Sequence, residues 1–267
     1  MRRLDTRFVG SWALALLVTV AAAYYQRKTG PTYPVSQTVT LGGEEITVLL
    51  ERAHPGAGDQ PVTVSTDDTT VSGELFWRRY PTNEEFTAAS MEYEDGRLIA
   101  YMPHQPPAGK LEYRLRLRRG SETVAVPARG TVVTRFRGAV PAYFLIPHIL
   151  FMFFAMTYSN RAGIEAVFRE GRLRYYTQVT VLLLCVGGMI LGPIVQKYAF
   201  GAFWTGVPFG HDLTDNKTLV AFVGWLIALV RVRKNPQSRS WVLGAALLTL
   251  VVFLIPHSLL GSELKYE

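Results

Sequence analysis

The chain has 267 residues, 49% of them hydrophobic and 18% charged, with a formal net charge of +7. That length accommodates one soluble domain and a handful of membrane helices. The location of the charge argues against nucleic-acid binding: residues 1–25, 159–174 and 231–239 contribute +2, +2 and +4, while residues 26–137 balance 14 Lys/Arg against 14 Asp/Glu. A positive excess confined to short segments beside apolar runs is the positive-inside pattern of membrane proteins. The single cysteine, Cys185, rules out an intramolecular disulfide and a cysteine-based metal cluster. It lies in an apolar run and reads as a small buried hydrophobe.

Residues 1–25 read as a signal anchor or signal peptide. Arg2, Arg3 and Arg7 precede an apolar run from Phe8 to Tyr25, and Ala21-Ala22-Ala23 offers a small-residue cleavage site. The run is about 18 residues, long for a signal peptide and near the minimum for a span, which favours retention as a first helix. Residues 26–34, with Gly30, Pro31 and Pro34, read as a linker.

Residues 35–137 carry β signals. Glu45–Leu50, Glu74–Tyr80, Arg97–Met102, Glu122–Val126 and Thr131–Phe136 are strand-like, and Asp95-Gly96 is a hairpin cue. Leu111 to Arg118 alternates apolar and charged residues, which predicts one buried and one solvated face. About seven short strands without helical periodicity predict an all-β sandwich. The strand Leu75-Phe76-Trp77-Arg78-Arg79-Tyr80 and the Pro106-Pro107-Ala108-Gly109-Lys110 turn into Leu111-Glu112-Tyr113 resemble bacterial extracytoplasmic domains of immunoglobulin-like and fibronectin-III-like type. The resemblance spans about 100 residues and implies a fold without a particular activity. The Cys…Trp…Cys core of antibody domains is missing.

Residues 138–267 read as a four-helix transmembrane region with spans near 139–158, 177–195, 214–232 and 241–260. The connectors 160–174 and 231–240 each hold four Lys/Arg and read as cytoplasmic. With a retained first helix, residues 26–137 and the C-terminus are extracytoplasmic, and the expected location is the bacterial inner membrane. No charged residue is expected inside the spans apart from two histidines.

Those histidines close two copies of one pentapeptide, Phe144-Leu145-Ile146-Pro147-His148 and Phe253-Leu254-Ile255-Pro256-His257. An ionisable residue in a span is costly and points to a site. At 1.5 Å per residue both histidines lie in the outer half of the membrane, ~13 Å and ~6 Å deep. Each proline removes a helical N–H, leaving a free carbonyl one turn above and a kinked helix. Two readings stand. In one, His148 and His257 bind a shared cofactor, haem b or a metal ion. In the other, each imidazole hydrogen-bonds a neighbouring helix or loop and holds the bundle together.

The loop 194–217 is aromatic and glycine-rich, then acidic. As a lid it would carry Trp204, Phe209 and Asp215, and His211 and Asp212 would join His148 and His257 in a metal site. As an interface anchor its aromatics would sit at headgroup level, with Asp212 or Thr214 capping the next helix and Asp215 favouring its N-terminus. Residues 201–217 resemble the tryptophan-rich extracytoplasmic loop of cytochrome c biogenesis haem-handling proteins, with one tryptophan, Trp204, in place of several.

No P-loop, dinucleotide fingerprint or C-x-x-C-H motif is found. No nucleophile or carboxylate pair marks an enzyme. The expectation is a membrane protein whose outward β-domain binds or positions a partner, another membrane or extracytoplasmic subunit. The alternative is a haem- or metal-handling membrane protein.

Overall fold

The computed structural model describes residues 6–168, 171–257 and 264. They divide into two compact units, one helical, taking the chain up to Pro31 and again from Val140, the other Thr32–Ala139. Arg2 and Arg3, residues 258–260 of the last expected span and most of the tail beyond lie outside the described residues.

The β unit has eleven strands, more than the seven expected: β1 (Val35–Leu41), β2 (Glu44–Leu50), β3 (Ala53–Pro55), β4 (Gln60–Ser65), β5 (Val71–Arg79), β6 (Thr87–Ser90), β7 (Glu92–Glu94), β8 (Arg97–Met102), β9 (Lys110–Arg119), β10 (Glu122–Val126) and β11 (Val132–Arg137). β1 and β2 pair with each other. β4, β8 and β7 form a second sheet, and β3-β11-β9-β5-β6 with β10 on β9 forms the third. All pairs are antiparallel except β11 with β3. Turn chemistry sets the register twice. Gly42-Gly43 between β1 and β2 and Asp95-Gly96 between β7 and β8 all have positive φ, as a type I′ hairpin requires.

β9 organises this unit. Its alternation buries Leu111, Tyr113, Leu115 and Leu117 while Arg114, Arg116 and Arg118 stay exposed. One hydrophobic core takes residues from all three sheets, including Val48, Leu50, Leu75, Met102 and Phe136. Tyr113 is fully buried, so its hydroxyl needs a partner, and it donates to Glu51 O at 2.8 Å. Burial raises that phenol's pKa. Three short strands without alternation, β3, β6 and β7, escaped the sequence pattern, as did β1 and β4, which do alternate in burial.

In the helical unit, α1 (Thr6–Thr29) runs four residues into the expected linker. α2 (Ala142–Phe168) is followed by one continuous run, Leu173–Phe200. That run contains α3 (Leu173–Leu184), a π-helical turn (Cys185–Leu191) and α4 (Gly192–Phe200). Next come α5 (Leu213–Lys234) and α6 (Arg239–Leu254). Thr6–Thr29, Ala142–Phe168, Leu173–Phe200 and Leu213–Lys234 are long and apolar enough to cross a membrane. The chain is thus a membrane protein by the character of four helices. The 16 residues of α6 reach ~24 Å, short of a ~30 Å hydrocarbon core.

α2 packs against α1, α3 and α6. Small residues permit this, as expected where lipid tails offer no hydrophobic driving force between helices. A Cβ on Gly163 would meet Ala246 of α6 at 2.9 Å. Added at Gly187 or Gly188 of the π turn it would meet Phe151 of α2 at 2.9 Å or Thr218 of α5 at 2.8 Å. Trp225 is buried between α5 and α6, its indole N–H donating to Thr249 Oγ1 at 2.7 Å.

Two charges expected in a solvated connector are instead buried in the helical unit. α2 continues ten residues past Tyr158, where the span was expected to end, and Arg161 and Glu165 are fully buried in the bundle. Their charge had read as a connector because a matched pair four residues apart looks like a solvated helix end.

Candidate functional site

The first pentapeptide lies inside α2, with Pro147 in the helix interior. The second does not repeat this geometry. α6 ends at Leu254, and Ile255 takes an extended conformation with ψ 120°. Proline disfavours the helical region for the residue before it, so Pro256 stops the helix where a kink was expected. The carbonyls freed there find side-chain donors. Gln26 Nε2 donates to Phe253 O at 2.5 Å and Ile255 O at 3.1 Å, and Lys217 Nζ donates to Ile255 O at 2.6 Å. Such donors are obligatory where water is absent.

His148 meets a second helix irregularity. Its Nδ1 lies 2.9 Å from Gly187 O, in the π turn. A carbonyl only accepts, so this bond assigns the proton to Nδ1 and leaves the Nε2 lone pair open. The ring is half-buried. A Cβ at Gly192 would sit 3.7 Å from its Cε1, so the small residue leaves room beside the ring. His257, just beyond the end of α6, is exposed. Lys217, buried and bonded to the carbonyl two residues before His257, is a polar group that sequence reading had treated only as part of a loop. The signal that would have found Lys217 is its place one turn into an apolar helix, where a cation is unfavourable beside the positive end of the macrodipole.

The loop before α5 is held by its acids. Asp212 caps α5, its Oδ1 accepting from Thr214 N at 2.7 Å. Asp215 is buried, and its Oδ2 accepts from Thr205 N at 2.7 Å, Gly206 N at 3.0 Å, Gln196 Nε2 at 3.0 Å and Thr205 Oγ1 at 3.3 Å. Asn216 Oδ1 takes Val207 N at 2.7 Å, and Trp204 Nε1 donates to Val207 O at 3.0 Å. Trp204 and Asp215 thus fasten the loop to itself. Phe209 is 81% exposed, as an aromatic anchored at an interface would be.

His211 is exposed on this loop. Among the described residues, no three His, Cys, Asp or Glu side chains form a group that would hold a metal ion. The expected quartet of His148, His257, His211 and Asp212 is therefore not assembled there. Asp212 already serves as a helix cap.

A second polar cluster lies further along α2. Arg161 Nη1 and Glu165 Oε2 are 3.1 Å apart. Glu165 Oε1 also accepts from Arg172 N at 2.8 Å, and the Arg161 guanidinium lies 4.4 Å from the Tyr176 ring centroid. Asn160 donates to Thr19 Oγ1 at 3.0 Å, joining α2 to α1. This cluster binds three helices together.

No protein-family model matches the chain, and no curated protein matches it.

Proposed function

We propose that this protein is a membrane-anchored binding protein whose β unit engages or positions a partner within a membrane assembly. The carrying observation is how the helical unit uses its polar groups. Lys217 and Gln26 hold the end of α6, Asp212 caps α5, Asp215 fastens the loop, and Arg161 pairs with Glu165. Each acts in holding the bundle together, which is the work of an anchor.

The β unit is then the part that faces a partner. Antiparallel pairing and a single core drawn from three sheets support an immunoglobulin-like sandwich, a scaffold suited to presenting surfaces. The positive excess of the short connectors supports a bacterial inner-membrane location with the β unit and C-terminus outside. Cross-linking in native membranes, followed by isolation of the full chain, tests the reading. A defined complex at constant stoichiometry is expected, and recovery solely as an uncrosslinked monomer would overturn it.

A second reading keeps the paired histidines as haem b or metal ligands. It rests on one observation: the neutral His148 ring donates from Nδ1 to Gly187 O, so its Nε2 lone pair is available. Orientation of a ligating imidazole by a backbone carbonyl is the usual outer-shell arrangement. Two imidazoles suffice for a haem, whereas a metal ion would need further ligands. The visible spectrum and metal content of the purified chain, compared with His148→Ala and His257→Ala, test it. A colourless, metal-free preparation rejects it.

A further inference from the structure

The solvent face of the six-stranded sheet carries an arrangement that its core does not require. With Leu111, Tyr113, Leu115 and Leu117 buried, β9 turns Arg114, Arg116 and Arg118 outward. Members of such a row recur every second residue, ~6.8 Å apart on an extended strand. β5 sets Phe76 opposite Arg114 and Glu74 opposite Arg116. Arg114 and Arg116 lie 5.6 Å and 4.7 Å from the Phe76 ring centroid, and Arg78 and Arg114 lie 4.5 Å and 5.1 Å from that of Phe86. Guanidiniums and rings thus interleave across the face.

Two carboxylates on this face are already engaged. Glu112 pairs with Arg78 at 2.6 Å and accepts from Thr131 Oγ1 at 2.6 Å, while Glu74 lies 3.3 Å from Arg116. Among the described residues, no carboxylate lies within ion-pair distance of Arg114 or Arg118. Four arginines against two glutamates leave the face cationic. A guanidinium resting on a ring is preorganised, so less mobility is lost when its planar fork takes a carboxylate.

We infer that this face binds an acidic, extended segment of a protein partner, its alternate carboxylates meeting Arg114, Arg116 and Arg118. The inference rests on the partner-binding reading and names the chemistry of the partner. The spacing carries it: an extended polypeptide places every second side chain on one face at the same ~6.8 Å repeat. Docking on a lipid surface is disfavoured because membrane insertion needs protruding apolar tips, whereas Phe76 and Phe86 are half-buried among guanidiniums. A nucleic-acid strand is disfavoured by the two glutamates within the face.

The test uses the full chain in zwitterionic nanodiscs and a fluorescent peptide of alternating Glu and Thr, read by anisotropy. Binding is expected to exceed that of the Lys-Thr peptide and of a peptide with the same Glu and Thr residues in separate blocks. The double variant Arg114→Glu, Arg118→Glu weakens it at least about tenfold, since reversal replaces attraction by repulsion. Arg97→Glu, exposed on the three-stranded sheet, changes it less than about twofold, as a distant surface charge should. If the reversal variant fails to fold, Arg114→Lys with Arg118→Lys decides: loss of the bidentate forks with charge kept still weakens binding severalfold. Equal loss in Arg97→Glu, no preference for the alternating peptide, or stronger binding to phosphatidylglycerol vesicles or single-stranded oligonucleotide would overturn the inference. Retention of a native cross-linked partner by the reversal variant would reject this face while leaving partner binding intact.

Discussion

Two regions of the helical unit solve the same problem differently. Near His148 and His257 the buried polar groups meet backbone carbonyls. Near Arg161 and Glu165 they meet each other. The regions are thirteen residues apart along α2, ~20 Å. Both regions lie where helices end or depart from regular geometry. The first region contains a proline inside a helix, a π turn and a helix end, each of which alters or frees carbonyl bonding, and His148, Lys217 and Gln26 answer those carbonyls. The second lies at the end of α2 and the start of α3, where Arg161 pairs with Glu165 and Glu165 also accepts from the Arg172 backbone N–H. Buried polar side chains thus gather at helix ends and irregularities in both regions, meeting backbone carbonyls in one and chiefly an opposite charge in the other.

The largest effect should come from the second region. Arg161→Ala leaves Glu165 charged and buried, at a cost of about 3–5 kcal/mol, visible as a lower thermal unfolding midpoint in detergent. Arg161→Met with Glu165→Leu should recover most of that loss, because paired apolar replacements avoid the desolvation cost. If the single and double variants are equally unstable, the pair is not what holds α2 there.

Asp215→Ala comes next. It removes the acceptor shared by the Thr205 and Gly206 backbone N–H groups and by Gln196, at roughly 1–3 kcal/mol, and should expose residues 201–212 to protease. A loop that stays resistant would show that Asn216 and Trp204 suffice. A smaller loss, about 1–2 kcal/mol, is expected for Gln26→Ala, which removes two bonds at the end of α6. Hydrogen exchange should rise at residues 253–257 and stay unchanged around Arg161.

The two prolines sharpen the comparison further. Pro256→Ala should extend α6 through Ile255, detected as slowed amide exchange there, because the restriction on the preceding residue is lifted. Pro147→Ala should leave the bounds of α2 unchanged.

The smallest effect lies in the β unit, where acids hold exposed turns. Thr70, through its hydroxyl and amide, and then the Arg119 guanidinium keep the Asp68 carboxyl below its ordinary pKa, and Arg79 does the same for Glu84. A lowered folded-state pKa contributes stability above the unfolded values, about 3.9 and 4.3. That contribution is lost as pH falls through the folded values. The protection factor of the Thr70 amide, its exchange relative to an unstructured peptide at the same pH, should therefore fall below about pH 4 and be flat from there to neutrality. A fall in protection already near pH 6 would contradict this assignment.

Much of the fold was legible in the residues. β9 alternates because one face is dry, Asp95-Gly96 can take positive φ at low cost, and apolar runs of span length have few alternatives. β3, β6 and β7 were not legible, since three or four residues carry no periodicity and form only because neighbouring strands are already in place. The candidate site was half legible. His148 and His257 stood out as ionisable residues in apolar runs, but Lys217 read as loop, and Arg161 with Glu165 read as a connector. Burial of those three is a property of packing, and a charge that pairs inside a bundle has the same spelling as one that faces water.

The repeated Phe-Leu-Ile-Pro-His separates the two kinds of knowledge most sharply. Sequence alone determined that each copy loses one helical N–H at its proline and carries an imidazole next to it, because both follow from covalent structure. Only the tertiary structure decided that one proline is carried within a helix and the other ends one. Pro147 has a further 21 residues of α2 after it, packed against three neighbouring helices. At Pro256 the helix ends instead, and Gln26 and Lys217, reaching in from other helices, donate to the carbonyls of Phe253 and Ile255, as exposed backbone acceptors require where water is absent.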